Sequence, residues 1–116
     1  RAVSKRVHDK LFNHNTILSF RMNNIITQEK LSKYFAITEE ALAAAKGAIN
    51  SDHHSKALEA LDMVERYVSD AHHFKDKGDW VLAFAALNYA HGWLDAGARI
   101  GLFKVSDSRL FTIDKH

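Results

Sequence analysis

Cysteine and proline are both missing from the 116 residues, and glycine occurs only five times. Without cysteine there is no disulfide framework, no thiolate nucleophile and no zinc–thiolate site. The same absence fits a reducing compartment, so a cytoplasmic protein is expected. With no proline and little glycine, turn formers and helix breakers are scarce. Long helices joined by short loops follow, whereas an all-β architecture needs many more turn residues. Long apolar runs are missing too. Residues 79–101 come closest to the ~18 that a membrane helix needs, but Asp79, Asn88, His91, Asp95 and Arg99 interrupt them. Neither a membrane span nor a signal peptide is expected. Nor does one sign of charge dominate: 16 Lys and Arg face 14 Asp and Glu, and a net charge of +2 is too small to imply nucleic acid as a partner.

What is present is apolar patterning at helical spacing. A hydrophobic fraction of 47% in a chain of this length describes one globular domain. The pattern predicts an all-α fold, an antiparallel three-helix bundle with long helices over about 27–50, 55–77 and 79–101. The bundle domain takes residues 27–105, between an N-terminal extension (1–26) and a C-terminal tail (106–116). In the extension, Arg1, Lys5, Arg6 and Lys10 accompany Val3, Val7 and Leu11 at i, i+4, i+8, the pattern of a short basic amphipathic helix. After a break or cap at Asn13-His14-Asn15-Thr16, the apolar residues of 17–26 (Ile17, Leu18, Phe20, Met22, Ile25 and Ile26) fit either a helix or a strand, with Leu18, Met22 and Ile25 at i, i+4, i+7 favouring the helix.

Thr27 is the expected N-cap of the first long helix, whose stripe runs through Leu31, Tyr34, Phe35, Thr38, Ala41, Leu42, Ala45 and Ile49. A polar connection follows, with Asp52 or Ser55 as the next cap. The second helix carries Leu58, Leu61, Val64, Val68 and Ala71, widened by Tyr67 and Phe74. Lys77-Gly78-Asp79 then reads as a tight turn, with glycine at C′ and Asp79 capping the next helix, so the second and third helices form an antiparallel hairpin. On a wheel of 100° per residue the third helix has two apolar faces about 120° apart. One holds Leu82, Ala86, Tyr89, Trp93, Ala96 and Ile100; the other holds Trp80, Ala83, Leu87, Ala90, Leu94 and Ala98. Two faces call for two packing partners, which the first and second helices supply unless a homodimer takes one. Gly101 ends the helix, and Leu102 and Phe103 are expected to fold back onto it.

The run Lys77-Gly78-Asp79-Trp80-Val81-Leu82-Ala83-Phe84, with Asn88-Tyr89-Ala90-His91-Gly92-Trp93-Leu94-Asp95-Ala96 and Gly101-Leu102 after it, resembles the archaeal domain of unknown function (DUF) 357 family. Tyr34 through Ala45 looks like that family's first helix, so the resemblance covers roughly residues 30–105. It implies a compact three-helix bundle in an archaeal cytoplasm. It implies no established activity and gives no catalytic residue to carry over. Some members of the family are joined to a cytidylyltransferase-like domain, which makes association with such an enzyme one expectation to test.

Asn88, His91, Asp95 and Arg99 fall within about 80° of one another on the third helix, a polar stripe on an otherwise apolar surface. An exposed helix edge with an Asp95–Arg99 ion pair is the plain account. The sharper one is a groove for a small anionic or phosphate-bearing ligand, with Arg99 as clamp and His91 as donor. No metal is expected. His72 and Asp76, like His91 and Asp95, have a ligand spacing of i, i+4, but counting outward from Gly78 sets the two pairs ~10 Å apart along the bundle. Only Glu65 joins His91 and Asp95 across the hairpin. Arg66 and His72 have the spacing of the HEPN ribonuclease motif, yet on a continuous helix they point about 120° apart, with His72 toward the core. Trp80, Tyr89 and Trp93 are expected in the core or an interface. With no Gly-rich phosphate loop and no nucleophile–base pair, no catalytic residue and no cofactor are expected. The leading expectation is a noncatalytic interaction or regulatory module acting through a protein partner or homodimer on the apolar faces of the helix 79–101. The alternatives are a small-molecule or nucleotide-binding regulatory domain and, third, RNA binding through the basic N-terminal segment.

Overall fold

The computed structural model of the chain describes residues 24–112. They form three α-helices, α1 (Gln28–Lys46), α2 (His54–Asp76) and α3 (Trp80–Arg99), with a 3-10 turn at Ser51–His53. The expected all-α three-helix bundle is what the chain forms. The amphipathic helix expected over residues 1–14 and most of that over 17–26 lie outside the described residues; Asn24–Thr27 carry no helix.

Local signals set most of the boundaries. The Thr27 hydroxyl accepts from the Lys30 amide at 3.1 Å, and an Asp79 carboxylate oxygen from the Leu82 amide at 3.2 Å, each meeting a donor the helix leaves open. Gly78 and Gly101 stand at φ +81° and +86°, left-handed geometry that glycine takes without steric cost. At each, the next amide reaches back to a last-turn carbonyl: Asp79 to Phe74 at 2.9 Å, and Leu102 to Gly97 at 2.8 Å. The hairpin of α2 and α3 is therefore tight, as predicted.

α1 stops at Lys46, about a turn before the predicted Asn50, and the reason is tertiary. Residues 48–50 pair instead with the chain leaving α3: Lys104 N donates to Ala48 O at 2.7 Å and Asn50 N to Leu102 O at 2.9 Å, flanking an antiparallel bridge between Ile49 and Phe103. The Asn50 side chain adds a bond to Gly101 O at 2.8 Å. Asn50 also takes the capping role expected of Asp52 or Ser55, accepting from the Asp52 amide at 3.1 Å. α2 itself starts without a side-chain cap.

The core is one layer of small and branched side chains between the helices. Leu31 and Phe35 of α1 cluster with Ala71, Ala83 and Leu87, while Ala41 and Ala45 cluster with Leu61, Val64, Ala90 and Leu94. On α2, Ala57 occupies the buried position expected of Leu58, which is 47% exposed. Past α3 the chain turns back over the bundle. Phe103 lies on Gly97, where a Cβ would come within 2.3 Å of the ring. The tail then returns Leu110 and Phe111 to the core, 4% and 2% exposed. Burial of a side chain like Phe111 is worth about 1.5–3 kcal/mol, so the tail is part of the bundle's stability.

Candidate functional site

The four residues of the candidate ligand stripe, Asn88, His91, Asp95 and Arg99, all stand on α3, and the bundle divides them. His91 and Asp95 face α1 and the returning tail. The His91 Nε2–H donates to the Leu110 carbonyl at 2.6 Å, because a carbonyl can only accept. Its Nδ1 shares a hydrogen bond with the Thr38 hydroxyl at 3.0 Å. Thr38 is 1% exposed, the buried polar side chain of the described core, and His91 is its partner. One turn on, Asp95 accepts from the Thr112 amide at 2.9 Å and hydroxyl at 3.3 Å. Its carboxylate stands 3.8 Å from His91 Nε2. The place where the stripe would have held a ligand is filled by residues 110–112 of the chain itself.

Arg109 fastens the same tail to α1. Its guanidinium makes a two-pronged contact with Glu40, with Nη1 donating to Oε1 at 3.1 Å and Nη2 to Oε2. Asp107 accepts from the Arg109 amide at 2.9 Å and closes the turn. The hydrogen bond from Arg109 holds the Glu40 carboxyl below its ordinary value and raises Arg109 in return. Docking of the tail is legible in the sequence from Val105, Leu110, Phe111 and Ile113, and Leu110 and Phe111 are buried. The Arg109–Glu40 latch was missed; a threonine inside an apolar stripe was the signal that could have pointed to a polar partner for the core.

Asn88 and Arg99 stand elsewhere, on the exposed side of α3. The remaining candidates disperse. Glu65 pairs with Lys46 at 3.3 Å rather than with His91, and Arg66 with Asp62 at 2.9 Å. His72 is not turned to the core: its side chain is about half exposed, 3.4 Å from Glu39 and stacked on Phe35 at 4.4 Å. Among the described residues no group of three or more His, Asp or Glu converges as a metal site. No described helix is long and apolar enough to cross a membrane.

The other side of α3 is the unexpected one. Of its two predicted apolar faces, the one with Ala83, Leu87, Ala90 and Leu94 is buried against α1 and α2 together. The second is covered only in part: Ala86 is buried and Trp93 half-buried, but Leu82 is 45% exposed, Tyr89 51% and Ile100 69%, and Ala96 is exposed too. Val81, Ala85 and Gly92 lie beside them, also exposed. By wheel angle these positions make one apolar arc of about 120°, with Asn88 and Arg99 at its polar edge. Tyr89 leans on Tyr67 of α2 at 4.5 Å, so the arc continues onto α2. Three depressions follow this side. One, of about 620 Å³, lies between Asn24–Ile26 and Lys77–Val81. One of about 360 Å³ lies over Tyr89, Gly92, Trp93 and Ala96. One of about 430 Å³ lies between Trp93, Leu102 and the Lys56–Met63 stretch of α2. At the centre, nothing approaches within 4 Å of where a Gly92 Cβ would stand.

Comparison with known proteins agrees with the sequence at one level. A family model described as "Protein of unknown function (DUF357)" matches residues 33–103, well over half of the chain. It ends at Phe103, so the latch residues Arg109–Thr112 lie beyond the match. No curated protein and no solved structure matches the chain.

Proposed function

The chain belongs to the DUF357 family, and from that premise we propose that it is a noncatalytic interaction module whose working surface is the exposed arc of α3. The observation that carries the reading is the arc itself. Leu82, Tyr89 and Ile100 are large apolar side chains, roughly half or more exposed, at one helical spacing on one helix. A contiguous apolar surface of this kind is the usual mark of an interaction site, and its width suits the apolar stripe of one amphipathic helix. The glycine at its centre supports this, since glycine costs about 1 kcal/mol against alanine inside a helix and no described neighbour uses the space. The absence of cysteine supports a cytoplasmic setting. The archaeal source and the association with a cytidylyltransferase-like enzyme remain proposals resting on the family resemblance. The ligand-binding alternative loses its supporting geometry, because His91 and Asp95 are occupied by the tail.

The test is selection of helical peptides from a displayed amphipathic library against the full chain, followed by titration. A selected peptide should bind Gly92→Glu at least tenfold more weakly than wild type, with helix content and melting not lowered. If every selected peptide binds the variant equally, the arc is not the working surface.

A further inference from the structure

The exposed arc of α3 is complementary to itself when one copy is turned end for end. We propose that two chains pair through α3 as an antiparallel, two-fold symmetric dimer, with Tyr89 of each copy level with Gly92 of the other. The proposal rests on the reading of the arc as a helix-binding surface and names the helix that it takes.

Register is the first support. With the two-fold axis between residues 90 and 91, equal rise and opposite direction set Ala85 level with Ala96, Leu82 with Arg99, Val81 with Ile100 and Asn88 with Trp93. Each exposed position of α3 then meets an exposed one, except Asn88, which meets the half-buried Trp93. Buried positions such as Leu87 and Leu94 fall level with each other and stay inside their own bundles. Shape is the second support. At the axis the Tyr89 ring, half exposed, comes to Gly92, where nothing stands within 4 Å of a Cβ position and a depression of about 360 Å³ lies open. At each end Ile100, 69% exposed, comes to the depression of about 620 Å³ that Ile25, Trp80 and Val81 line. Area is the third. Val81, Leu82, Tyr89 and Ile100 expose on the order of 500 Å² per copy, more than half of the ~800 Å² per partner that a stable interface buries. Charge is the fourth. Arg99 is the charged residue of the arc, and this pairing keeps its two copies about 25 Å apart along the helix. A parallel pair would set Arg99 against Arg99.

The lack of native cysteine lets single-thiol variants of the full chain report the pairing. Ala85→Cys and Ala96→Cys, both at exposed positions, are oxidised mildly, each alone and as an equal mixture. Facing thiols arise only in the mixture, because in a dimer of either variant alone they stand about 16 Å apart along the helix. Disulfide-linked dimers should form at least fivefold faster in the mixture than in either variant alone. Sedimentation equilibrium of the unmodified chain should give a mass approaching twice 13.1 kDa at high micromolar concentration. Gly92→Glu should weaken that association at least tenfold, with helix content not lowered. A monomer at every concentration overturns the proposal, and so does a mixture that links no faster than its parts. If selected peptides still bind in a Gly92-dependent way, the interaction reading survives that failure with an outside helix as the partner. Faster linking in the mixture without any such peptide keeps the dimer and removes the outside helix.

Discussion

Along α3, the edge carrying His91 and Asp95 lies under residues 110–112, while the arc carrying Leu82, Tyr89 and Ile100 stands open among the described residues. Chemistry alone suggests the reverse, with the polar edge in water and the apolar arc inside. The difference lies in what each side is offered. A peptide carbonyl and amide can meet a histidine and a carboxylate at full hydrogen-bonding strength, so covering the polar edge leaves no unpaired group. Covering it also carries Leu110 and Phe111 into the core. Among the described residues the apolar arc is offered no such cover: α1 and the tail pack on the other side of α3, and α2 reaches the arc at Tyr67.

Three measurements press on this contrast, from the largest expected effect to the smallest. Phe111→Ala should lower the unfolding free energy by about 3–5 kcal/mol in urea, and Leu82→Ala by about 1 kcal/mol or less. Equal losses would mean that the two sides of α3 do not differ in burial. Next, His91→Ala should cost about 1–2 kcal/mol, because the Thr38 hydroxyl and the Leu110 carbonyl lose their partner. It should also speed hydrogen exchange at the Phe111 and Thr112 amides, whereas Asn88→Ala, on the open side, leaves both unchanged. Exchange that stays slow in His91→Ala would show that apolar packing alone holds the tail.

The smallest effect is on pH dependence. Glu40 is lowered in the folded chain by its bond to Arg109, so its contribution is whole above the ordinary value of 4.5 and is lost as pH falls through the lowered folded value. Acid titration of tail protection should therefore show a component below pH 4.5 that Arg109→Ala lacks. An identical profile in the variant would remove Glu40–Arg109 from the latch.

Much of the frame was legible because it is local. Thr27, Gly78, Asp79 and Gly101 satisfy or release specific backbone groups within a turn of themselves, and such requirements can be read from residue type. The stripes of α1 and α2 were legible for the same reason, with errors of one position, as where Ala57 rather than Leu58 is buried. The candidate site was less legible. The four polar residues of α3 were found, but the wheel treats them as one surface. It contains no information about Leu110 or Thr112, which lie 19 and 17 residues along the chain from their partners. The early end of α1 was hidden likewise, since it depends on hydrogen bonds to residues 102–104.

The sequence by itself determined an all-α chain, three helices, their capped ends, the tight α2–α3 hairpin and a helix apolar around most of its circumference. These follow from short-range backbone sterics and apolar periodicity. Only the tertiary structure decided which part of that circumference is covered. Coverage depends on where a distant stretch of chain returns, and a tail that pairs with His91 and Asp95 while burying Phe111 takes the polar edge and leaves the apolar arc exposed among the described residues.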